Sequence, residues 1–293
     1  MKTGRNKPLA AVAVGMSLWL GAHEGLAQQT APALTPAEIR QIVASPDRSA
    51  ADRTNDLRRK PEQMLVFLDI HPGITALDLS AAGGYTTELL ARAIGSSGRV
   101  YGQSRPRDPN RPPAPPAAPE GNSHPTVAPQ PPPPAAGGAP RPSPVALAER
   151  DGLLKSAGVK AAPITAVVRP FEDPIPTELA SSGLDLVTLM FNYHDLGFLG
   201  VDRAAMNQAV FRALKPGGFY VIADHSGRPG TGISESGTLH RIEEAFLRKE
   251  VEAAGFRLAA EGTFLRNPND PRDKNTPDPP QPKDEFVLKF VKP

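Results

Sequence analysis

Short apolar runs alternate along this chain with stretches whose apolar residues recur every three or four positions. Ile74-Thr75-Ala76-Leu77-Asp78-Leu79 is nearly continuous, as a strand covered on both faces requires. Arg99-Val100-Tyr101-Gly102, Ile164 to Val168, Leu184 to Phe191, Phe219 to Ala223, Phe256 to Phe264 and Asp284 to Phe290 read as further strands. Helical spacing falls between them. Lys60 to Leu68 carries Met64, Leu65 and Leu68 on one side, and Thr86 to Ile94 carries Leu89, Leu90, Ala93 and Ile94 before Gly95. Asp202 to Lys215 places Met206, Ala209, Val210, Ala213 and Leu214 on one stripe and is followed by Pro216-Gly217-Gly218. Val145 to Ala157 and Thr238 to Ala254 complete the set, and Thr35 to Val43 and Pro46 to Asp56 read as short polar helical pieces.

Strands separated by helices imply βαβ crossovers and a parallel sheet covered on both faces. Only a polar, proline-rich loop (Asn267 to Lys283) separates the last two strands, so they can pair antiparallel. The expectation is an α/β fold: a Rossmann-like, doubly wound, mainly parallel seven-stranded sheet with a C-terminal antiparallel strand.

Two segments stand outside this alternation. Residues 105–144 hold 16 of the chain's 35 prolines. Proline lacks a backbone donor and fixes φ, so the stretch is expected to be a low-complexity insert rather than helix or interior strand. At the other segment, Lys2, Arg5 and Lys7 precede the apolar Leu9 to Leu20, and Gly25-Leu26-Ala27 offers small residues before Gln28. That is the layout of a cleaved secretory signal peptide, with an apolar run shorter than the ~20 residues a membrane span needs. The expected division is a signal peptide (1–27), an N-terminal polar helical segment (28–55) and one domain (56–293) containing the insert. The expected location is therefore outside the cytoplasm, in the periplasm, without a stable membrane anchor.

Export changes the charge argument. Residues 1–27 carry three basic and one acidic residue of the chain's 33 and 31, so the remainder balances at 30 of each. Nucleic acid is therefore not an expected partner, since that binding rests on phosphate neutralisation. The absence of cysteine rules out disulfides and thiolate metal sites.

In open parallel sheets ligands bind beyond the carboxyl ends of the strands. The first strand is followed by Asp78-Leu79-Ser80-Ala81-Ala82-Gly83-Gly84, the second by Gln103-Ser104 and the third by Phe171-Glu172. The fourth ends in Asn192-Tyr193-His194-Asp195 and the fifth in Asp224-His225-Ser226. With the turn Leu214-Lys215-Pro216-Gly217-Gly218, this order resembles the class I S-adenosylmethionine-dependent methyltransferases from about Arg58 onward, the insert apart. Asn192 to Leu196, Asp224 to Ser226, Arg228 to Gly232 and Phe286 to Phe290 resemble, more narrowly, exported bacterial predicted methyltransferases.

The resemblance implies S-adenosylmethionine as cofactor, with Asp78, Ser80, Ala81, Ala82, Gly83 and Gly84 beneath it. Ser80 and Ala82 stand where the family places glycine, and only Gly84 matches. Ser104 stands where the family places a carboxylate for the ribose hydroxyls, and a neutral side chain makes the weaker bond. Glu172 falls near the adenine position, and Asn192 and Tyr193 near the cofactor, although Asn192 could instead bond its own turn and Tyr193 could be a core aromatic.

His194, Asp195, Asp224 and His225 are the catalytic candidates, with His240 expected to open the following helix. Methyl transfer from a sulfonium needs alignment, and a protonated nucleophile also needs a base. A strand-end histidine also serves as a purely structural donor, and Asp224 could cap the next turn. These four residues would suit a divalent metal, but no ligand spacing is diagnostic and none is expected. No Gly-x-Ser-x-Gly elbow supports a hydrolase. The expected function is methyl transfer to a small-molecule acceptor outside the cytoplasm. The alternative is an exported non-catalytic binding protein with a degraded methyltransferase fold.

Overall fold

The structure, a computed structural model, describes residues 31–107, 141–277 and 281–293, with Met1, Lys2 and Gly4. Nearly all of the expected signal peptide and most of the proline-rich insert lie outside the described residues. Among the described residues no helix is long and apolar enough to cross a membrane.

The apolar runs become β1 (Thr75–Leu79), β2 (Arg99–Ser104), β3 (Ile164–Val168), β4 (Leu184–Met190), β5 (Leu214–His225), β6 (Arg257–Gly262) and β7 (Glu285–Val291). They form one seven-stranded sheet in the order β3-β2-β1-β4-β5-β7-β6. Pairing is parallel from β3 to β5, and β7 runs antiparallel to both β5 and β6. The antiparallel strand is thus inserted beside β5 and not added at the edge. The order reverses between β1 and β4, the kind of switch point beyond whose carboxyl ends such sheets bind ligands.

Alternation along each strand divides the core into two faces. Leu77, Leu79, Val187, Leu189, Ile222, Phe286, Leu288 and Phe290 share one buried cluster. It is completed by α6 (Tyr193–Phe198), α7 (Arg203–Ala213) and α8 (Glu244–Ala253). Ala76, Val100, Leu186, Val221 and Val287 face the other way. They are covered by α1 (Pro36–Val43), α3 (Pro61–Leu68), α4 (Tyr85–Ile94) and α5 (Ser143–Ser156). Each large side chain so buried contributes roughly 1.5–3 kcal/mol, which is why both faces of these strands are apolar.

Three elements differ from the expectation. The 28–55 segment is not a separate polar piece: residues 31–293 form one compact unit. Thr35 and Glu38 close a capping box at the start of α1, and its Ile39 and Val43 are buried in the core. A second helix, α2 (Ala50–Arg59), follows it. The Lys215-Pro216-Gly217-Gly218 stretch does not separate helix from strand. Leu214 is buried and pairs with Leu184, so β5 begins there and carries the glycines as an irregularity. Finally, α8 starts six residues later than expected, at Glu244. Ile242 is fully buried and forms a parallel bridge with Ser226, which holds residues 238–243 as a connection along β5. His240 therefore stands in that connection, with φ +50°, and not on a helix.

Candidate functional site

The loop after β1 stands on one side of this switch point. Ser80 (φ +57°), Ala82 (φ +47°) and Gly84 (φ +81°) all adopt left-handed backbone. The two residues that replace glycine therefore keep the glycine conformation, at a cost of roughly 1–2 kcal/mol each. At Gly84 a Cβ would lie 2.7 Å from Leu147 Cδ2 and 2.8 Å from Arg150 Cδ, so those side chains would have to shift to admit one. Gln103 fixes the loop from below. Its backbone carbonyl accepts from Ala81 N at 2.8 Å, its Oε1 accepts from Ser80 N at 3.0 Å, and its Nε2 donates to Arg169 O at 2.7 Å. Ala81 is buried inward, whereas Ala82 and Gly83 are exposed and Ser80 is half-buried.

Asp78 sits beneath this loop and anchors it to its neighbours. It is buried, with Oδ2 accepting from the Thr87 hydroxyl at 2.6 Å and Oδ1 from the Thr188 hydroxyl at 2.8 Å. It ties β1 to α4 and β4. Burial raises its pKa to about 6, against the opposing effect of the two hydroxyl donors. Ser104, at the tip of β2, is half-buried. Glu172 is also half-buried and accepts weakly from Asp202 N at 3.4 Å, while its neighbour Phe171 is core.

Tyr193 packs in the core, the alternative that the sequence left open for it. It is fully buried, donates its hydroxyl proton to Glu250 Oε2 at 2.9 Å and accepts from Asn207 Nδ2 at 2.9 Å. Arg203 grips the same Glu250 carboxylate with two bonds. Tyr193 therefore locks α6 onto α7 and α8, and burial followed by the charge of Glu250 pushes its pKa well up. Asn192, just beyond β4, is half-buried. Its Nδ2 donates to Asp195 Oδ2 at 3.2 Å, and its Oδ1 is buried without a hydrogen-bond partner.

The tips of β4 and β5 bring the catalytic candidates together. Asp224, fully buried, accepts from His194 Nδ1 at 2.5 Å, from the His194 backbone N–H at 2.7 Å and from the His225 backbone N–H at 2.8 Å. The other ring nitrogen of His194, Nε2, lies 3.2 Å from Asp195 Oδ1, which also meets His240 Nδ1 at 2.8 Å. Burial disfavours charge on His194, but Asp224 and Asp195 together outweigh it and raise its pKa to about 10. Asp195 is held at about 2, because His194 and His240 outweigh its own burial. Both ring nitrogens of His194 thus face carboxylates, Asp224 at Nδ1 and Asp195 at Nε2.

His225 behaves in the opposite way. Buried beside His194, with ring centroids 5.2 Å apart, it is driven well below its ordinary pKa, by burial first and then by Lys283 and His194. Its Nδ1 lies 3.0 Å from Glu285 Oε1 but off the line of a hydrogen bond.

Several residues here had no signal in the sequence. Phe191 takes φ +59° at the end of β4, an uncommon state for a bulky residue and of the kind that clusters at functional sites. The Arg58 and Arg59 guanidinium groups lie 4.8 and 4.1 Å from its ring centroid, and Arg58 also reaches Glu285 at 2.7 Å. These contacts join α2 to β4 and β7 across long sequence separations, so no local pattern announces them. An arginine pair ending a polar helix was the one visible cue.

No protein-family model matches the chain, and no curated protein matches it. Solved structures do. An arsenic(III) S-adenosylmethionine methyltransferase from Chlamydomonas reinhardtii aligns at 14% identity over 88% of this chain and 73% of its own, with a TM-score of 0.51. A chain from the complex of the Haloferax volcanii Trm112 methyltransferase activator with its methyltransferase partner aligns at 16% identity over 89% and 99%, with a TM-score of 0.50. A SAM-dependent methyltransferase from Aquifex aeolicus aligns at 15% identity over 89% and 100%, with a TM-score of 0.49. The fold is that of the S-adenosylmethionine-dependent methyltransferases.

Proposed function

We propose that this chain is an S-adenosylmethionine-dependent methyltransferase that acts on a small-molecule acceptor outside the cytoplasm, in keeping with its resemblance to exported bacterial methyltransferases. The observation that carries the reading is the pairing of two features across the β1/β4 switch point. On one side a loop holds left-handed backbone at Ser80 and Ala82 although neither is glycine. On the other, His194, Asp195, Asp224 and His240 converge at the tips of β4 and β5 and in the β5–α8 connection. Strained backbone is retained where it serves a ligand.

The residues present fit the cofactor. Ala82 and Gly83 are exposed in the loop, Ser104 and Glu172 stand half-exposed, and Asn192 Oδ1 is a buried acceptor with no donor among the described residues. S-adenosylmethionine supplies, when bound, a methyl group on a positively charged sulfur. The chain's own task is to align an acceptor with it, which can be worth ~7–11 kcal/mol. Phe191 beneath Arg58 and Arg59 forms one wall of the acceptor side, and Asp195 with His240 forms the polar, partly exposed one.

One observation favours a second reading, an exported binding protein that no longer transfers methyl groups: a neutral serine occupies the ribose position. The two are separated by incubating the protein with S-adenosylmethionine and a panel of small phenols, amines and thiols. Release of S-adenosylhomocysteine dependent on one acceptor supports the enzyme. Cofactor binding with no release across the panel supports the binding protein.

A further inference from the structure

We propose that His194, Asp195 and His240 form a binding site for a first-row divalent transition cation. Their ligand atoms all lie within 4.8 Å of one another. Asp195 Oδ1 stands centrally, 3.2 Å from His194 Nε2 and 2.8 Å from His240 Nδ1. Bonds of about 2.1 Å place neighbouring ligand atoms roughly 3 Å apart, so the cluster is already near the dimensions of a coordination shell. Two imidazoles and one carboxylate suit zinc, iron or cobalt, and are poor in the oxygen ligands that magnesium and calcium require.

The surroundings are those of a metal site. A ligating histidine ordinarily donates its second ring N–H to a carboxylate, which fixes its orientation. Asp224 does this for His194, accepting from Nδ1 at 2.5 Å and from the same residue's backbone N–H at 2.7 Å. That leaves Nε2 directed at Asp195. Asn192 Nδ2 engages Asp195 Oδ2, which leaves Oδ1 toward the two imidazoles. His240 reaches the cluster from a connection held at φ +50°, a conformation histidine adopts at a cost. Stability alone does not require this convergence, because Asp195 and His240 are partly exposed and water could satisfy both. The same exposure leaves coordination positions open on the acceptor side.

This set differs from the four residues weighed from the sequence. Asp224 spends its oxygens on His194 and the two backbone N–H groups, and His225 Nδ1 faces Glu285. A histidine from the β5–α8 connection takes their place. If the methyltransferase reading holds, the cation orients an oxygen or nitrogen of the acceptor. The site itself does not depend on that reading.

The test is titration of the chelator-treated full chain with Co²⁺, followed by visible absorption and calorimetry, and with Zn²⁺ in competition. The expected result is one cation per chain, displaced by Zn²⁺ and not by Mg²⁺. Asp195→Asn and His240→Ala, checked for unaltered circular dichroism, should each weaken binding by more than about 100-fold, and Asp224→Asn by about 10–100-fold. His71→Ala, far from the cluster in sequence, should change nothing. Absence of stoichiometric binding, or binding indifferent to both Asp195→Asn and His240→Ala, would overturn the proposal. A parallel titration with S-adenosylmethionine reports on the methyltransferase reading separately, so failure of one is distinguishable from failure of the other.

Discussion

At the scale of single residues, the first loop shows how far a fingerprint can drift while its geometry persists. Ser80 and Ala82 occupy left-handed backbone that glycine adopts freely. Ser80→Gly and Ala82→Gly should therefore each raise stability, by up to about 1 kcal/mol once the greater freedom of unfolded glycine is counted. Calorimetric unfolding measures this, and a loss of stability in both would show that the loop is not strained. Asp78 gives a second prediction. Its folded pKa is raised to about 6, above the usual carboxylate value, so the folded state holds the proton more tightly. This group's contribution is greatest below about pH 4 and declines as pH rises toward 6, by on the order of 3 kcal/mol. Comparing urea midpoints of the native chain and Asp78→Asn across that range should show the difference converging at low pH. A constant difference would contradict the assignment. The sequence marked Asp78 and Ser80 as important because of their place after an apolar strand. It could not tell a buried anchor from a ligand contact, because that depends on Thr87 and Thr188 arriving from other elements.

At the scale of elements, α2 is held chiefly by charge. Asp52 pairs with Arg150 through two bonds, and Asp56 accepts from Arg48 and from the Tyr85 hydroxyl. Arg58 and Arg59 lie over Phe191. Asp52 is its only fully buried residue. Removing the half-buried Arg150 leaves the buried Asp52 uncompensated and takes a partner from Glu88, so Arg150→Met should cost about 3 kcal/mol. Asp52→Asn added to Arg150→Met should recover part of that loss in the same denaturation assay. Additive losses would mean that the pair is not what holds the helix. The strands and the long amphipathic helices were legible because periodicity reports burial directly. The start of α8 was not, because Ile242 is diverted to a bridge with Ser226, and a single buried isoleucine within a helical pattern looks like another helical position.

At the scale of the whole molecule, the alternation of strands and helices predicted the sheet, its dual coverage and its antiparallel C-terminal strand. It could not place β7 between β5 and β6, since that insertion is fixed by register between distant segments. Export is a separate proposal that rests on residues 1–27. The protein recovered from a cell envelope should begin at or near Gln28, as N-terminal sequencing would show, and an intact Met1 in washed membranes would contradict it.

The central claim is that the switch point between β1 and β4 holds S-adenosylmethionine, despite the two replaced glycines and the missing ribose carboxylate. Isothermal titration of the purified protein with S-adenosylmethionine tests it most directly. The account predicts saturable binding of one molecule per chain, which Ser80→Gly with Ala82→Gly tightens or leaves unchanged. Absence of binding at about 1 mM ligand, where an interaction of only ~4 kcal/mol already half-saturates, would contradict it.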